Sequence, residues 1–413
     1  MTGSSPPPSL AGADWLLDVE VQALLRSLAA GGIEARVVGG AVRDALLGRP
    51  VREIDVAAAA PPDAVERAAS AAGIKVVPTG REHGTLTLVV DGRAFEVTSL
   101  RIDVETDGRH AIVRFGTDWA ADAARRDFTI NALSTDAAGT VYDPVGGYAD
   151  ILARRVRFIG EADQRIAEDR LRALRFFRFH AELGRGDPDR DAVAAAVRAR
   201  YELTSLSGER VGQEMRKLCM APGAAPTLEA MQDAGILPLI LGGVGYLAQF
   251  RRLTEAVVPF FAASFPVRLC ALACRIEEDV ARLTGRLRLA NAERDEALAV
   301  IAIERGLPAD ASERDLRRLL YRFDAASYHG GLQYAWAVRG GDPADWLGRL
   351  ALPERWPRPT FPLRGKDVVD AGVAGGPAVG EALRKLEAAW VEGDFRADES
   401  ELRHMLRRIA APA

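Results

Sequence analysis

Through the first 160 residues the apolar positions alternate between two periods. Trp15, Leu16, Val19, Leu24 and Leu28 recur at helical spacing behind Asp14, which predicts one helix from there to about Ala30. Short apolar runs follow at 35–38, 74–77, 85–90 and 94–100, bounded by glycine, proline or aspartate, and these predict strands. Helical patterning separates them at 41–47 and again up to Ala72, where Pro61-Pro62-Asp63 opens the helix. Asp91-Gly92 between two alternating runs predicts a hairpin. Residues 101–119 lose periodicity and read as a long polar loop, a feature that is usually functional or disordered.

Past Glu161 the pattern is helical almost throughout. One helix is expected from Glu161 to about Leu183 and a second over 206–218, with Ser207 as its cap. From Pro222 to about Pro308 apolar faces such as Leu228, Met231, Ile236 and Leu237 alternate with arginines. The last hundred residues are helical again, broken by a proline-rich stretch. These patterns give an α+β chain: an α/β head at 13–158, then an all-helical neck at 159–222, body at 223–310 and tail at 311–413. Residues 1–12, rich in serine, proline and glycine, are expected to be a disordered tail.

Composition narrows the function classes. With 413 residues the chain needs several modules, and 48% hydrophobic content supplies ample core. No apolar run approaches a membrane span and no basic-then-apolar leader is seen, so no membrane is expected and the cytoplasm is the default location. A net charge of −4 does not announce nucleic acid, so any RNA contact must come from local arginine patches. The three cysteines, Cys219, Cys270 and Cys274, lie in apolar helical stretches with no nearby histidine to complete a zinc site, and read as buried thiols. All five histidines stand isolated; His83 reads as structural, not as a general base.

Candidate chemistry concentrates in residues 37–60. A strand runs into Gly39-Gly40 and then a helix carrying Arg43; such a junction lets the backbone and an arginine approach a phosphate. The next strand carries Glu53 and Asp55, two apart and therefore on one face. Phosphate beside paired acids calls for divalent cations, the layout of phosphoryl or nucleotidyl transfer. Further on, Arg125-Arg126 stand with Asp127 and Asn131, a set able to bind triphosphate and ribose hydroxyls. Asp169 and Arg172 are three apart, side by side on one helical face. A carboxylate accepts from an exocyclic amino group while a guanidinium donates to the neighbouring ring nitrogen, so such a pair fits cytosine and adenine but not guanine or uracil. A plain surface ion pair is the alternative use of the same residues. Glu96 could be a third carboxylate or a surface-facing strand acid.

These motifs, G-G-x-x-R-D with its following acids, H-G-T, F-E-V-T, R-R-D-F-T-I-N-A-L, E-D-x-x-R and L-S-G-E-R-V-G-Q-E, resemble those of the class II tRNA nucleotidyltransferase and poly(A) polymerase family. The family's first metal-binding aspartate is Glu53 here. The resemblance implies template-independent addition of CCA to tRNA from CTP and ATP, with Mg²⁺ as cofactor held by Glu53 and Asp55, the catalytic pair. It implies nucleotide contacts from Gly40, Arg43, Arg126, Asp169, Arg172, Arg175 and Arg178. By helical rotation Arg178 falls about half a turn from Asp169 and should not touch the same base. The loop at 101–119 corresponds to one that helps the family's site change from C to A addition, and Tyr142 to Gly147 to its hinge. The 206–218 helix is expected to brace the base-reading helix. Gly375-Gly376-Pro377, near Arg364 and Lys366 in the region that holds the tRNA elbow in the family, could seat an RNA phosphate or be an ordinary loop-to-helix junction. A poly(A) polymerase or A-only enzyme with the same site, and an RNA-binding protein that has lost its chemistry, are the competing readings.

Overall fold

The computed structural model describes residues 6–81, 84–106, 111–255 and 262–410. The chain divides into two compact units, residues 1–244 and 245–413. The first carries a seven-stranded sheet in the order β3-β4-β5-β2-β1-β8-β9. Its strands are β1 (Ala35–Val38), β2 (Asp55–Ala58), β3 (Lys75–Gly80), β4 (Thr85–Val90), β5 (Arg93–Ser99), β8 (Ser134–Thr135) and β9 (Val141–Tyr142). Only β2 and β5 pair in parallel among the described ladders; the other pairs are antiparallel.

This topology places the site. Because β1 and β2 are antiparallel, the C-terminal end of β1 and the N-terminal end of β2 meet at one edge, with Val38 opposite Asp55. The Gly39-Gly40 turn therefore lies next to the first acid of β2. The parallel register of β2 with β5 sets Glu96 beside Asp55.

Helices α1 (Asp14–Leu17) and α2 (Val19–Ala30) replace the single helix expected behind Asp14. Asp18 breaks it: its carboxylate accepts from the Glu20 amide at 3.1 Å and from Arg93 at 2.8 Å, offering the backbone a cap in place of continued helix. The N-terminal stretch is also not all free. Ser9 and Leu10 bond the Gly139 carbonyl, and Leu10 is buried; the expected disorder of residues 1–5 falls outside the described residues. The expected polar loop at 101–119 is a two-stranded hairpin, β6 (Arg101–Thr106) and β7 (Ala111–Phe115), followed by α5 (Trp119–Ala124). The sequence carries the polar–apolar alternation Arg101-Ile102-Asp103-Val104-Glu105 that a strand needs, but it is brief and the polar majority of the stretch outweighs it. Residues 107–110 and His83 lie outside the described residues.

After α3 (Gly40–Leu46), α4 (Pro62–Ala71) and α6 (Gly147–Leu152) in the head, the neck helices are α7 (Ala162–Glu168), α8 (Leu171–Leu183), α9 (Arg190–Ala199) and α10 (Gly208–Met220). Phe128, from the arginine-rich motif, packs against Phe158 and Phe179, and Phe158 stacks on Phe176, at centroid distances of 4.8–5.9 Å. Phe128, Phe158 and Phe176 are at most 2% exposed, so this aromatic core fixes α8 to the sheet.

The second unit is helical. One core gathers Tyr328, Leu332, Trp336 and Trp346, another Leu386, Trp390, Leu402 and Leu406. Cys219 in the first unit and Cys270 and Cys274 in the second are buried free thiols, as expected. The helix Pro377–Glu392 begins directly behind Gly376. No described helix is long and apolar enough to cross a membrane.

Candidate active site

Gly39 adopts φ 70°, a left-handed conformation that glycine takes without strain, and turns β1 sharply into α3. A Cβ at Gly39 would stand 3.5 Å from the Arg126 guanidinium, so Arg126 lies directly over the turn. Arg126 is held by the buried Asp122 at 3.1 Å and by the Asn131 carbonyl at 3.4 Å. Arg43 donates to Asn131 Oδ1 at 2.7 Å and to Asp44 at 2.9 Å. The two arginines and the Gly39-Gly40 backbone thus converge at one end of the sheet.

The motif that carries Arg126 and Asn131 is anchored from below. Thr129 donates to Asp150, which is fully buried and also takes Arg155 and Arg157. Gly147 fits against this turn so closely that a Cβ would meet the Thr129 carbonyl oxygen at 2.1 Å. Sequence reasoning missed Asp150 and Asp122 because a buried acid betrays itself only through its partners.

Glu53 precedes β2 and does not lie within it; both it and Asp55 are exposed, with Ile54 buried between them. Glu96, left open in the sequence, is exposed next to Asp55. Asp55 is exposed as a residue, yet its carboxyl is partly desolvated by the protein around it. That burial, with the negative charges of Glu96 and Glu53, raises its carboxyl above the ordinary aspartate range, and Arg126 opposes the shift. Among the described residues no three acid, histidine or cysteine side chains form a closed metal cage.

The segment expected to read the base differs from the single helix predicted for it. The helix expected over 161–183 is broken: Asp169 is extended (φ −151°, ψ 109°) between α7 and α8. Its Oδ1 accepts from the Leu171 amide at 3.1 Å and its Oδ2 from Arg210 at 2.7 Å. An aspartate that can cap the following helix competes with the backbone ladder, which the i,i+3 spacing does not reveal. Arg172 bonds Glu168 and the Arg165 carbonyl, so it forms no surface pair with Asp169.

Arg175 and Arg178 also have partners. Arg175 donates to Asp127 Oδ2 at 2.6 Å and approaches Glu214 at 3.8 Å. Arg178 is 5% exposed, bonded to Glu214 at 2.9 Å and Glu182 at 3.0 Å, and lies 3.5 Å over the Phe179 ring. Such burial turns Arg178 inward and leaves it no free face for a nucleotide; the rotation counted from Asp169 assumes a continuous helix that is broken there. With Asn131 donating to Asp127 at 3.2 Å, a continuous chain of polar contacts runs from Arg43 through Asn131, Asp127 and Arg175 to Glu214 on α10.

Two family models match this unit: the poly(A) polymerase head domain over residues 35–157, and the probable RNA and SrmB-binding site of polymerase A over residues 187–244. Across 381 residues the chain is 33% identical to the mitochondrial CCA tRNA nucleotidyltransferase 1 of Mus musculus, covering 91% of this chain and 87% of that protein. The chain belongs to the tRNA nucleotidyltransferase and poly(A) polymerase family. Another of its members, the CCA-adding enzyme of Geobacillus stearothermophilus, is 32% identical over 401 residues, covering 93% and 95% of the two chains. A crystal structure of the Bacillus stearothermophilus CCA-adding enzyme in complex with CTP superposes with a TM-score of 0.79 at 32% identity, over 94% of this chain and 96% of that one. The family membership agrees with the α+β head and helical remainder read from the sequence.

Proposed function

We propose that this protein adds CCA to the 3′ end of tRNA from CTP and ATP without a nucleic-acid template. One observation carries the reading: the Gly39-Gly40 turn, Arg43, Arg126 and the Asp55–Glu96 pair meet at one sheet edge in a chain that matches CCA-adding enzymes along nine-tenths of its length.

The triphosphate binds to Arg43, Arg126 and the backbone at Gly40, where two cations offset its charge. Glu53 and Asp55, with Glu96 beside them, would hold divalent cations, magnesium in the cell. The acids fit this use because Glu53, Asp55 and Glu96 crowd negative charge that Arg126 offsets only in part, and a closed cage is unnecessary where phosphate and water complete the ligand set. Bound there, the metal supplies Lewis-acid stabilisation of charge on the transferring phosphoryl group.

Base selection falls to Asp169 and Arg172. Asp169 Oδ2 accepts from Arg210 and keeps a lone pair for the exocyclic amino group of cytosine or adenine. Arg172 has five donors and can bond a ring nitrogen without releasing Glu168. Uracil and guanine would set carbonyl against carboxylate and N–H against guanidinium, leaving polar groups unpaired. Arg175 acts behind this surface by holding Asp127.

The domain scheme of head, neck, body and tail and a cytoplasmic location belong to the same proposal. The test is incorporation: purified protein with tRNA lacking CCA takes up CMP from CTP alone, and AMP only after two CMP. Incorporation from ATP alone, with none from CTP, would make it an A-only enzyme or poly(A) polymerase; none from either would make it an RNA-binding protein without chemistry.

A further inference from the structure

A cavity of about 480 Å³, within the range of small-ligand pockets, lies over β1, β8 and β9. Its walls include Arg36, Val38, Trp119, Arg126, Ser134 and Tyr142. The strand register joins it to the site: Asp55 stands opposite Val38, Val38 opposite Ser134, and Ser134 opposite Tyr142. Cross-strand partners share a face, so the cavity occupies the same face of the sheet as Asp55. Inside it the buried Arg36 guanidinium lies 4.2 Å over Trp119 and 3.5 Å over the half-exposed Tyr142. Trp119 Nε1 is buried with no hydrogen-bond partner among the described residues, a deficit that an incoming acceptor would relieve.

We infer that this cavity seats the 3′-terminal nucleoside of the RNA acceptor. The planar side chains of Trp119, Arg36 and Tyr142 suit a planar base, and stacking tolerates any base at the end of the RNA. Resting on the function proposed above, the incoming nucleotide has its base at Asp169, so the base left for this cavity is the acceptor's. Arg126 borders both the cavity and the Gly39 turn, and one arginine thereby senses both substrates.

The experiment uses the full chain and a tRNA minihelix ending in 4-thiouridine, irradiated without nucleoside triphosphate and mapped by mass spectrometry. Crosslinks are expected at Trp119 or Tyr142; crosslinks confined to α8 or α10 would overturn the assignment. An inactive protein still crosslinks, so the result stands apart from failure of the proposed reaction. In steady state, Tyr142→Ala should raise KM for the RNA about 5- to 150-fold, the stacking of one base, with KM for CTP nearly unchanged, and Tyr142→Phe should restore it. A rise in KM for CTP alone would reassign the cavity to the nucleotide, and normal KM values for both would refute it.

Discussion

Glu214 ties α10 to α8, the helix proposed to carry Arg172 to the base. It sits on α10 with a side chain 8% exposed, 2.9 Å from Arg178, whose side chain is 7% exposed. At that separation and an effective dielectric near 20, the Coulomb attraction is about 6 kcal/mol before desolvation is counted. Removing one member of such a pair typically costs about 3–5 kcal/mol because the other charge is left buried. Here Glu182 remains 3.0 Å from Arg178, so Glu214→Ala should cost less, about 2–4 kcal/mol. Hydrogen exchange of the α8 amides reads this locally, without interference from the second unit. Replacing both partners, Arg178→Met with Glu214→Leu, should recover most of the loss. Arg198→Ala, which breaks the fully exposed pair with Asp163, should leave α8 exchange unchanged. A shift in α8 below about 0.5 kcal/mol on Glu214→Ala, comparable to an ordinary surface change, would refute the bracing role.

Three further outcomes follow. Asp169→Asn offers an amide that can donate as well as accept, so the preference of CTP over UTP in single-nucleotide incorporation should fall by about tenfold or more, one well-placed hydrogen bond to a charged group; an unchanged ratio would remove Asp169 from base reading. Glu53→Asp restores the family's residue and should leave incorporation equal or faster across a magnesium titration; activity that appears only in this variant would mean the natural chain is inactive. Burial holds the His180 imidazole below its ordinary value of 6.5, so as pH falls the unfolded chain takes up the proton first and stability declines below about pH 6.5. The urea midpoint should therefore drop more between pH 7 and pH 5.5 in the natural protein than in His180→Asn, and equal drops would contradict the assignment.

Much of this site was readable before any coordinates. Gly39-Gly40, Arg43 and Asp55 fall together because a strand, a tight turn and a following strand leave the chain few ways to fold; Arg126 joins them from the end of α5. The alternation of β4 and β5, with the Asp91-Gly92 turn between them, gave their pairing. What escaped were features decided by competition. Asp18 and Asp169 each sit in good helical patterning, yet each carboxylate takes a backbone amide and an arginine, and the helix breaks there. Glu96 meets Asp55 only through a long-range parallel pairing that no local spacing encodes. Asp122 and Asp150 look like surface acids until the arginines they neutralise are placed around them. The contacts of Arg36 with Trp119 and Tyr142 bring together two strands and one helix from distant parts of the sequence.

The central claim is that protein side chains alone judge the base of a nucleotide whose phosphates rest on the sheet edge. A crystal structure of this protein with CTP and magnesium measures it directly. The account predicts the α-phosphate beside Asp55, the triphosphate on Arg43 and Arg126, and the cytosine amino group within hydrogen-bond distance of Asp169. CTP bound away from Asp55, or with its amino group facing away from Asp169, would contradict it.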